Sequence, residues 1–209
     1  TTYSPPMSSS VIGVPEGRVI SPPPPSTRDR LKPVVFYGTS ITQGGCASRP
    51  GMAATAITGR ELDIPVINLG FSGSGKMEPE MAGLLAELDP SAYVLDCLWN
   101  MDARMVKERV EPFVRALRRT HPETPIFLAE DSSYRNVTPT EKGRIVNSIY
   151  EKLAKEGMNG LYWISNRGML GTDSEGTVDG CHPNDLGMMR QADIFVRTLA
   201  PILKSARGR

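Results

Sequence analysis

From residue 31 onward, short apolar runs alternate with segments whose apolar residues recur at helical spacing. Five runs have the length of a strand: Pro33–Tyr37, Pro65–Leu69, Tyr93–Trp99, Ile126–Ala129 and Leu161–Ile164. Strands that alternate with helices commonly pair in parallel and carry the helices on both faces of the sheet. The pattern therefore predicts an α/β fold, a three-layer α/β/α sandwich around a parallel sheet of about five strands.

Four of the segments between and after these runs carry an apolar stripe. The stripes are Met81, Leu84, Leu85 and Leu88; Val106, Val110, Phe113, Val114 and Leu117; Ile145, Ile149 and Leu153; and Met188, Ala192, Phe195 and Leu199. Residues 138–141, with the sequence Thr-Pro-Thr-Glu, predict a capping box with proline in the first turn of the third helix. Gly157 is expected to end that helix.

The loop after the first strand carries a serine in a tight turn. Ligands of parallel sheets bind at the carboxyl ends of the strands, so the loops that follow strands are where chemistry is expected. Ser40 lies in the sequence Gly-Thr-Ser-Ile-Thr, where a strand-to-helix turn would expose its hydroxyl. The motif is not a G-x-S-x-G elbow, because Thr42 stands at the second glycine. Ser72, in a glycine-flanked loop after the second strand, is a rival nucleophile.

A histidine near the C-terminus follows an aspartate by three residues. In Asp179-Gly-Cys-His182 the carboxylate can fold back and accept the imidazole Nδ1–H, which leaves Nε2 as a base towards a serine hydroxyl. The other histidine, His121, is expected to be solvated at a helix end. His182 is therefore the candidate general base.

Two further strand ends offer hydrogen-bond donors. Gly73 follows the second strand and could present an unobstructed backbone N–H, and Asn100 follows the third strand with a side-chain amide. Preorganised donors of this kind bind the oxyanion of an acyl-transfer reaction. The occurrence of both beside a serine and a histidine favours a hydrolytic site over ordinary turn residues.

Composition narrows the class of function. The 209 residues suffice for a domain with a buried core, and 24 basic against 23 acidic side chains give a net charge of +1. This balance gives no support for binding to nucleic acid or to an anionic membrane, since both need a basic excess. The apolar runs are too short to span a bilayer. Three cysteines are too few for a disulfide scaffold, and no Cys/His cluster predicts a metal site.

These residues, in their order along the chain, resemble the motif blocks of the SGNH hydrolases, the GDSL-type esterases and lipases. The matching residues are Ser40, Gly73, Asn100, Asp179 and His182. The resemblance implies a flavodoxin-like fold and no metal or organic cofactor. It implies that Ser40 attacks an ester carbonyl and that His182, oriented by Asp179, acts as base and then acid. The Ser40 and Gly73 N–H groups and the Asn100 side chain would bind the oxyanion.

The resemblance extends over residues 33–200, with some departures. Thr39 replaces the aspartate that usually precedes the serine, Leu98–Trp99 replaces a Gly-x pair, and Met101 replaces an aspartate. The run Tyr37–Gly51 resembles the branch of the superfamily that contains acetylhydrolases and carbohydrate esterases. The expected function is a serine esterase acting on a short acyl ester, an acetyl group above all, of a carbohydrate or other small alcohol.

Two other functions remain open at this point. One is a glycan-binding module on an inactive hydrolase scaffold. The other is a phosphate-binding NTPase, because Gly70–Lys76 fits the G-x-x-x-x-G-K pattern after a strand. Against the NTPase, Met77 stands where serine or threonine must coordinate Mg²⁺, and the reading leaves Ser40 and His182 without a role.

Several residues are candidate neighbours of the site. Possible substrate contacts are Thr39, Arg49, Trp99, Met101, Glu130 and Tyr134. Cys46 and Cys181 should border the site, and a disulfide between them is one hypothesis. The alternative is two reduced thiols that pack as small apolar groups.

The chain divides near residue 30. Residues 1–30 hold seven of the 18 prolines and predict a linker or surface arm, or else the junction to an upstream domain. Residues 31–209 are predicted as the hydrolase domain. We expect a secreted or periplasmic protein, with a leader removed before Thr1.

Overall fold

The computed structural model describes residues 13–19, 21, 31–132 and 137–207 of the chain. Within this part, five parallel strands form one sheet in the order β2-β1-β3-β4-β5. The strands are β1 (Val34–Gly38), β2 (Val66–Gly70), β3 (Ala92–Asp96), β4 (Ile126–Ala129) and β5 (Leu161–Ile164). The helices are α1 (Ser40–Gln43), α2 (Ala54–Glu61), α3 (Pro79–Ala86), α4 (Ala103–Thr120), α5 (Glu141–Lys155) and α6 (Asp185–Arg207). The predicted α/β/α sandwich with a five-stranded parallel sheet is confirmed.

The helices cover both faces of the sheet because successive strand residues point to opposite sides. Val35 and Tyr37 of β1 pack into a core with α3, α4 and α5. Val34 and Phe36 pack on the other side, where α2 and α6 lie together. All of the predicted stripe on α4 and all of the stripe on α6 are buried. In the first stripe, by contrast, Leu84 is 56% exposed.

The register of the central strands brings three loops to one edge of the sheet. Gly38 at the end of β1 is level with Gly70 of β2 and with Asp96 of β3. β2 lies on one side of β1 and β3 on the other, so the connections leave in opposite directions at this point. A crevice at such a switch point is where open α/β sheets bind their ligands.

Two element boundaries differ from the prediction. β3 ends at Asp96, and Leu98–Asn100 form a 3-10 turn, although the apolar run continues to Trp99. The run is apolar there because Cys97 and Leu98 are buried in the core outside the sheet. α5 begins at Glu141 with Thr140 as its N-cap, so the predicted capping box starting at Thr138 is wrong. The Thr138 hydroxyl instead donates to Glu130 Oε2 at 3.3 Å.

Two features of the chain lie beyond these elements. None of the helices in the described part of the chain is both long and apolar enough to cross a membrane. The predicted arm over residues 1–30 falls largely outside the described residues and stays a prediction.

Candidate active site

Ser40 is the first residue of α1, immediately beyond the end of β1. Thr39 is the N-cap, and its Oγ1 accepts a hydrogen bond from the Ile41 N–H at 3.2 Å. The Thr42 side chain accepts in return from the Thr39 N–H at 3.2 Å, which completes a capping box. Gly38 is required before this turn, because a Cβ there would lie 2.0 Å from Thr42 Oγ1. The local sequence therefore places a half-buried serine at the start of a helix, where backbone N–H groups are unpaired.

The structure brings Ser40, His182 and Asp179 into one hydrogen-bonded line. Ser40 Oγ lies 2.9 Å from His182 Nε2, and His182 Nδ1 lies 2.7 Å from Asp179 Oδ2. A carboxylate at Nδ1 requires the proton on that nitrogen, so the lone pair of Nε2 points towards the serine. Asp179 lies in the loop before α6 and Ser40 at the start of α1, so more than half of the chain separates them.

Asp179 is held as an anion by hydrogen bonds on both oxygens. Its Oδ1 accepts from the backbone N–H groups of His182 at 2.7 Å and Cys181 at 2.9 Å. The bonds from the backbone and ring of His182 lower the pKa of Asp179 from its usual value to about 2. The carboxylate is therefore charged throughout the neutral and mildly acidic pH range.

The loop that carries His182 is fixed by its own backbone. Thr177 and Pro183 form an isolated antiparallel bridge, and the Gly180 N–H donates to Thr177 Oγ1 at 3.1 Å. Asn184 caps α6, since its Oδ1 accepts from the Gly187 N–H at 3.1 Å. These bonds hold the Asp-x-x-His segment in one conformation between a bridge and a helix start.

The side-chain amide of Asn100 is bonded to the loop that contains Gly73. Asn100 Nδ2 donates to the carbonyl oxygens of Phe71, at 3.3 Å, and Ser74. The same loop is tied to β1, because the Phe71 N–H donates to Gly38 O at 3.0 Å. Gly73 has φ +69°, and open space surrounds the position of a Cβ. Asn100 thus fixes the loop of Gly73, and donation to an oxyanion requires it to exchange one of its two bonds.

The buried carboxylate of Asp96 lies against the turn that carries Ser40, and it is not among the site residues predicted from the sequence. Asp96, at the end of β3, is 5% exposed and accepts a hydrogen bond from Thr42 Oγ1 at 2.9 Å. Burial raises the pKa of Asp96 from its usual value to about 7. An acidic residue at the end of an otherwise apolar strand is the sequence signal that indicates such a position.

Three of the expected substrate contacts are buried and serve the fold. Glu130 is 1% exposed and accepts from the backbone N–H groups of Thr140 at 2.6 Å and Asn166 at 3.1 Å. Met101 is 3% exposed in the core, and Thr39 is 1% exposed as the cap of α1. Because these three side chains are buried within the fold, their contact with a substrate stays a prediction.

The remaining expected contacts are placed differently. Trp99 is half-buried, and its Nε1 donates to Ser132 Oγ at 3.0 Å, while the Lys142 ammonium lies 5.5 Å from the ring centroid. Arg49 is exposed and donates to Ser48 Oγ at 3.3 Å. Tyr134 lies outside the described residues. Contact of Trp99 and Arg49 with a substrate stays a prediction.

All three cysteines are free thiols in the structure, and the disulfide between Cys46 and Cys181 stays a hypothesis. Cys46 and Cys181 are half-buried, and Cys97 is buried after β3. Burial, and then the charge of Asp179, raises the pKa of both Cys46 and Cys181 above the usual thiol value. Both thiols are accordingly kept neutral near the segments that carry Ser40 and His182.

The loop Gly70–Lys76 does not form a phosphate cradle. The Lys76 backbone N–H donates to Glu78 Oε2 at 2.9 Å, and the Tyr37 hydroxyl donates to the same oxygen at 2.7 Å. A carboxylate therefore occupies donors that a phosphate would need. Among the described residues, no group of three or more His, Cys, Asp or Glu side chains is arranged to hold a metal ion.

A cavity of about 510 Å³ opens between the loop after α1 and the start of α6. It is lined by Cys46, Ser48, Glu175, Asn184, Asp185 and Leu186. The Ser48 hydroxyl and N–H donate to the two carboxylate oxygens of Asp185 at 2.6 and 2.8 Å, which ties these two segments together. The cavity adjoins the segments that carry Ser40 and His182.

The model of the family described as GDSL-like Lipase/Acylhydrolase matches residues 31–200. The chain belongs to this family. A solved structure named for a GDSL-like lipase from Bacteroides ovatus is 41% identical to this GDSL-like protein, with a TM-score of 0.75, and the alignment covers 83% of this chain and 54% of that one. No curated protein matches the chain in sequence.

Two more distant structures share the fold alone. A family two carbohydrate esterase from Clostridium thermocellum, solved with cellohexaose, is 16% identical with a TM-score of 0.68, over 90% of this chain and 68% of that one. A two-domain esterase active on acetylated mannans is 20% identical with a TM-score of 0.64, over 83% and 50%. This GDSL-like chain thus spans about half the length of the Bacteroides and mannan-esterase chains.

Proposed function

We propose that this GDSL-like protein is a serine esterase that hydrolyses short acyl esters through an acyl-enzyme, with Ser40 as nucleophile. The observation that carries the proposal is the hydrogen-bonded line from Ser40 Oγ through His182 to Asp179, with separations of 2.9 and 2.7 Å. Such a line activates a hydroxyl that is otherwise a weak nucleophile.

In acylation, Ser40 is the nucleophile, His182 transfers the proton and Asp179 orients His182. Ser40 Oγ bonds to the ester carbonyl carbon while His182 Nε2 takes the hydroxyl proton. Asp179 keeps Nδ1 protonated and stabilises the imidazolium that forms. The tetrahedral intermediate then expels the alkoxide, which takes the proton from Nε2 and leaves as the alcohol. The acyl group remains on Ser40.

Deacylation repeats the sequence with water as nucleophile. His182 Nε2 takes a proton from water, whose oxygen attacks the acyl carbon, and then returns the proton to Ser40 Oγ as the carboxylic acid leaves. The negative oxygen of both intermediates would be bound by the N–H groups of Ser40 and Gly73. Asn100 would contribute after releasing one loop carbonyl. Each such donor is worth roughly 3 kcal/mol of transition-state stabilisation.

The alcohol part is proposed to be a carbohydrate or another small polyol, and the acyl part an acetyl group. Carboxylate and amide groups of Glu175, Asn184 and Asp185 line the cavity beside the catalytic loops, and such groups bond well to hydroxyls. One structure of the same fold is named for a family two carbohydrate esterase, and another for an esterase active on acetylated mannans. A net charge of +1 agrees with an uncharged substrate.

A panel of p-nitrophenyl esters from acetate to palmitate, followed by acetylated oligosaccharides, tests this proposal. Turnover should be highest for acetate and should fall with chain length, and acetylated oligosaccharides should release acetate. Turnover that rises with chain length would contradict the acyl preference. Sugar binding without turnover of any ester, and without labelling by a fluorophosphonate, would contradict the esterase and support a glycan-binding module.

A further inference from the structure

We infer that Thr42 and Asp96 form a positioning pair, whose hydrogen bond holds the peptide before Ser40 and thereby aims the nucleophile at His182. This inference rests on the proposed esterase function and adds residues that do not touch the substrate. Thr42 comes from α1 and Asp96 from the end of β3, so the pair joins the nucleophile turn to the neighbouring strand.

The Thr42 hydroxyl has a partner on each side. It accepts from the Thr39 N–H at 3.2 Å and donates to Asp96 Oδ2 at 2.9 Å. Thr42 and Asp96 are 3% and 5% exposed, so water competes little for either bond. A hydrogen bond to a buried carboxylate is stronger than one between neutral groups.

The peptide between Gly38 and Thr39 is fixed at both ends by these contacts. Its N–H donates to Thr42, and its carbonyl oxygen accepts from the Phe71 N–H at 3.0 Å. Phe71 begins the loop that contains Gly73. This one peptide, which lies just before Ser40, therefore fixes the position of the nucleophile relative to the loop of Gly73, which is proposed to bind the oxyanion.

The space around this peptide leaves little room for another arrangement. A Cβ at Gly38 would lie 2.0 Å from Thr42 Oγ1 and 2.5 Å from Asp96 O, so the threonine hydroxyl packs directly against β1. Gly75 closes the other side, because a Cβ there would lie 2.1 Å from Gly38 O. The Thr42 hydroxyl therefore lies between the end of β1, at Gly38, and the end of β3, at Asp96.

The turn depends on such a tertiary anchor because α1 has only four residues, Ser40–Gln43. A helix of this length has too few internal hydrogen bonds to hold its own position. Without the bond to Asp96, the capping box could move as a unit and carry Ser40 Oγ away from His182 Nε2. A shift of about 1 Å in a reacting group can cost about 10²-fold in rate.

The test is a kinetic comparison of the wild type with Thr42→Val, Thr42→Ser and Thr58→Val, using p-nitrophenyl acetate at pH 8. Valine keeps the shape of threonine and removes both bonds, whereas serine keeps them. Thr58→Val is the matched control, because the buried Thr58 hydroxyl donates to Ala54 O at 2.8 Å inside α2. We expect Thr42→Val to lower kcat by about 30-fold or more with KM unchanged, while Thr42→Ser and Thr58→Val stay within about threefold of the wild type.

If Thr42→Val does not fold, Asp96→Asn provides a second test of the positioning pair. The amide oxygen can still accept from Thr42 but lacks the charge, so kcat should fall by about 3- to 10-fold at pH 8. The free energy of unfolding of the variant should be at least as high as that of the wild type. Lower activity together with higher stability is a result that a purely structural role would not give.

The outcomes separate this inference from the esterase proposal. A wild type without ester turnover would contradict the proposed function itself. A wild type that turns over, with kcat retained in Thr42→Val or in Asp96→Asn, would overturn the positioning pair alone. The pair is also overturned if Thr42→Ser loses as much kcat as Thr42→Val, or if the loss lies in KM.

Discussion

Replacing Asp96 with asparagine should stabilise the fold at alkaline pH and change it little at acidic pH. Burial, with a contribution from the charge of Asp131, raises the pKa of Asp96 from 3.8 to about 7, and Cys97 lies beside it. An acid whose pKa is raised by folding opposes folding once it ionises. Its cost is absent below its pKa in the unfolded chain and complete above its pKa in the folded protein.

The expected size follows from the shift. A rise from 3.8 to about 7 is near three pKa units, and each unit corresponds to about 1.4 kcal/mol, which gives about 4 kcal/mol at full ionisation. Relaxation and water penetration reduce the cost of buried charges in proteins, so a gain of about 3 kcal/mol is expected at pH 8.5. The gain should build up between pH 4 and pH 7.

Urea unfolding of both proteins at pH 4 and pH 8.5 measures this gain as the difference in free energy of unfolding. The control is Asp193→Asn, which removes an exposed carboxylate paired with Arg197 at 2.8 Å on α6 and should stay within about 0.5 kcal/mol at both pH values. A difference for Asp96→Asn that is the same at both pH values, or is larger at pH 4, would refute the reasoning.

Three further results are expected. Asp179→Asn should lower kcat/KM for p-nitrophenyl acetate by about 10⁴-fold, because an amide favours the wrong imidazole tautomer; a loss below tenfold would contradict this. Glu130→Gln should cost about 2 kcal/mol in urea unfolding, since a buried acceptor of backbone N–H groups is disturbed, with KM unchanged; a raised KM at full stability would place Glu130 at the substrate. Thiol titration of unreduced, denatured protein should find three thiols, and dithiothreitol should leave activity unchanged; one titratable thiol would reveal a Cys46–Cys181 disulfide.

The sheet could be predicted from the sequence because its three central strands, β1, β3 and β4, are buried on both faces. Strands such as Val34–Gly38 and Ile126–Ala129 appear as uninterrupted apolar runs between helical stripes. The end of β3 could not be found in this way, since Cys97, just before the 3-10 turn, and Leu98, within it, are buried and look the same in the sequence as buried strand residues. Thr138 and Thr140 are equally good caps locally, and the structure distinguishes them through Glu130 in the loop after β4, which accepts from the Thr138 hydroxyl and from the Thr140 N–H.

The line of Ser40, His182 and Asp179 was predictable because its chemistry is local to two short segments. The Asp-x-x-His spacing contains the carboxylate–imidazole contact within one loop. Thr42 and Asp96 were missed because their bond depends on the pairing of β1 with β3, which the sequence alone does not show. Similarly, the sequence located Glu130 on a loop near a strand end but held no information on the direction of its side chain.

Ser40 as nucleophile is the central claim, and the matched variants Ser40→Ala and Ser72→Ala test it directly. Both serines lie in glycine-containing loops at the same edge of the sheet, but Ser40 Oγ is 2.9 Å from His182 Nε2 and Ser72 is exposed on the loop after β2. Ser40→Ala should lose p-nitrophenyl acetate hydrolysis by at least about 10³-fold and resist fluorophosphonate labelling, while Ser72→Ala should behave as the wild type. Retained hydrolysis in Ser40→Ala, or labelling that maps to Ser72, would contradict the account.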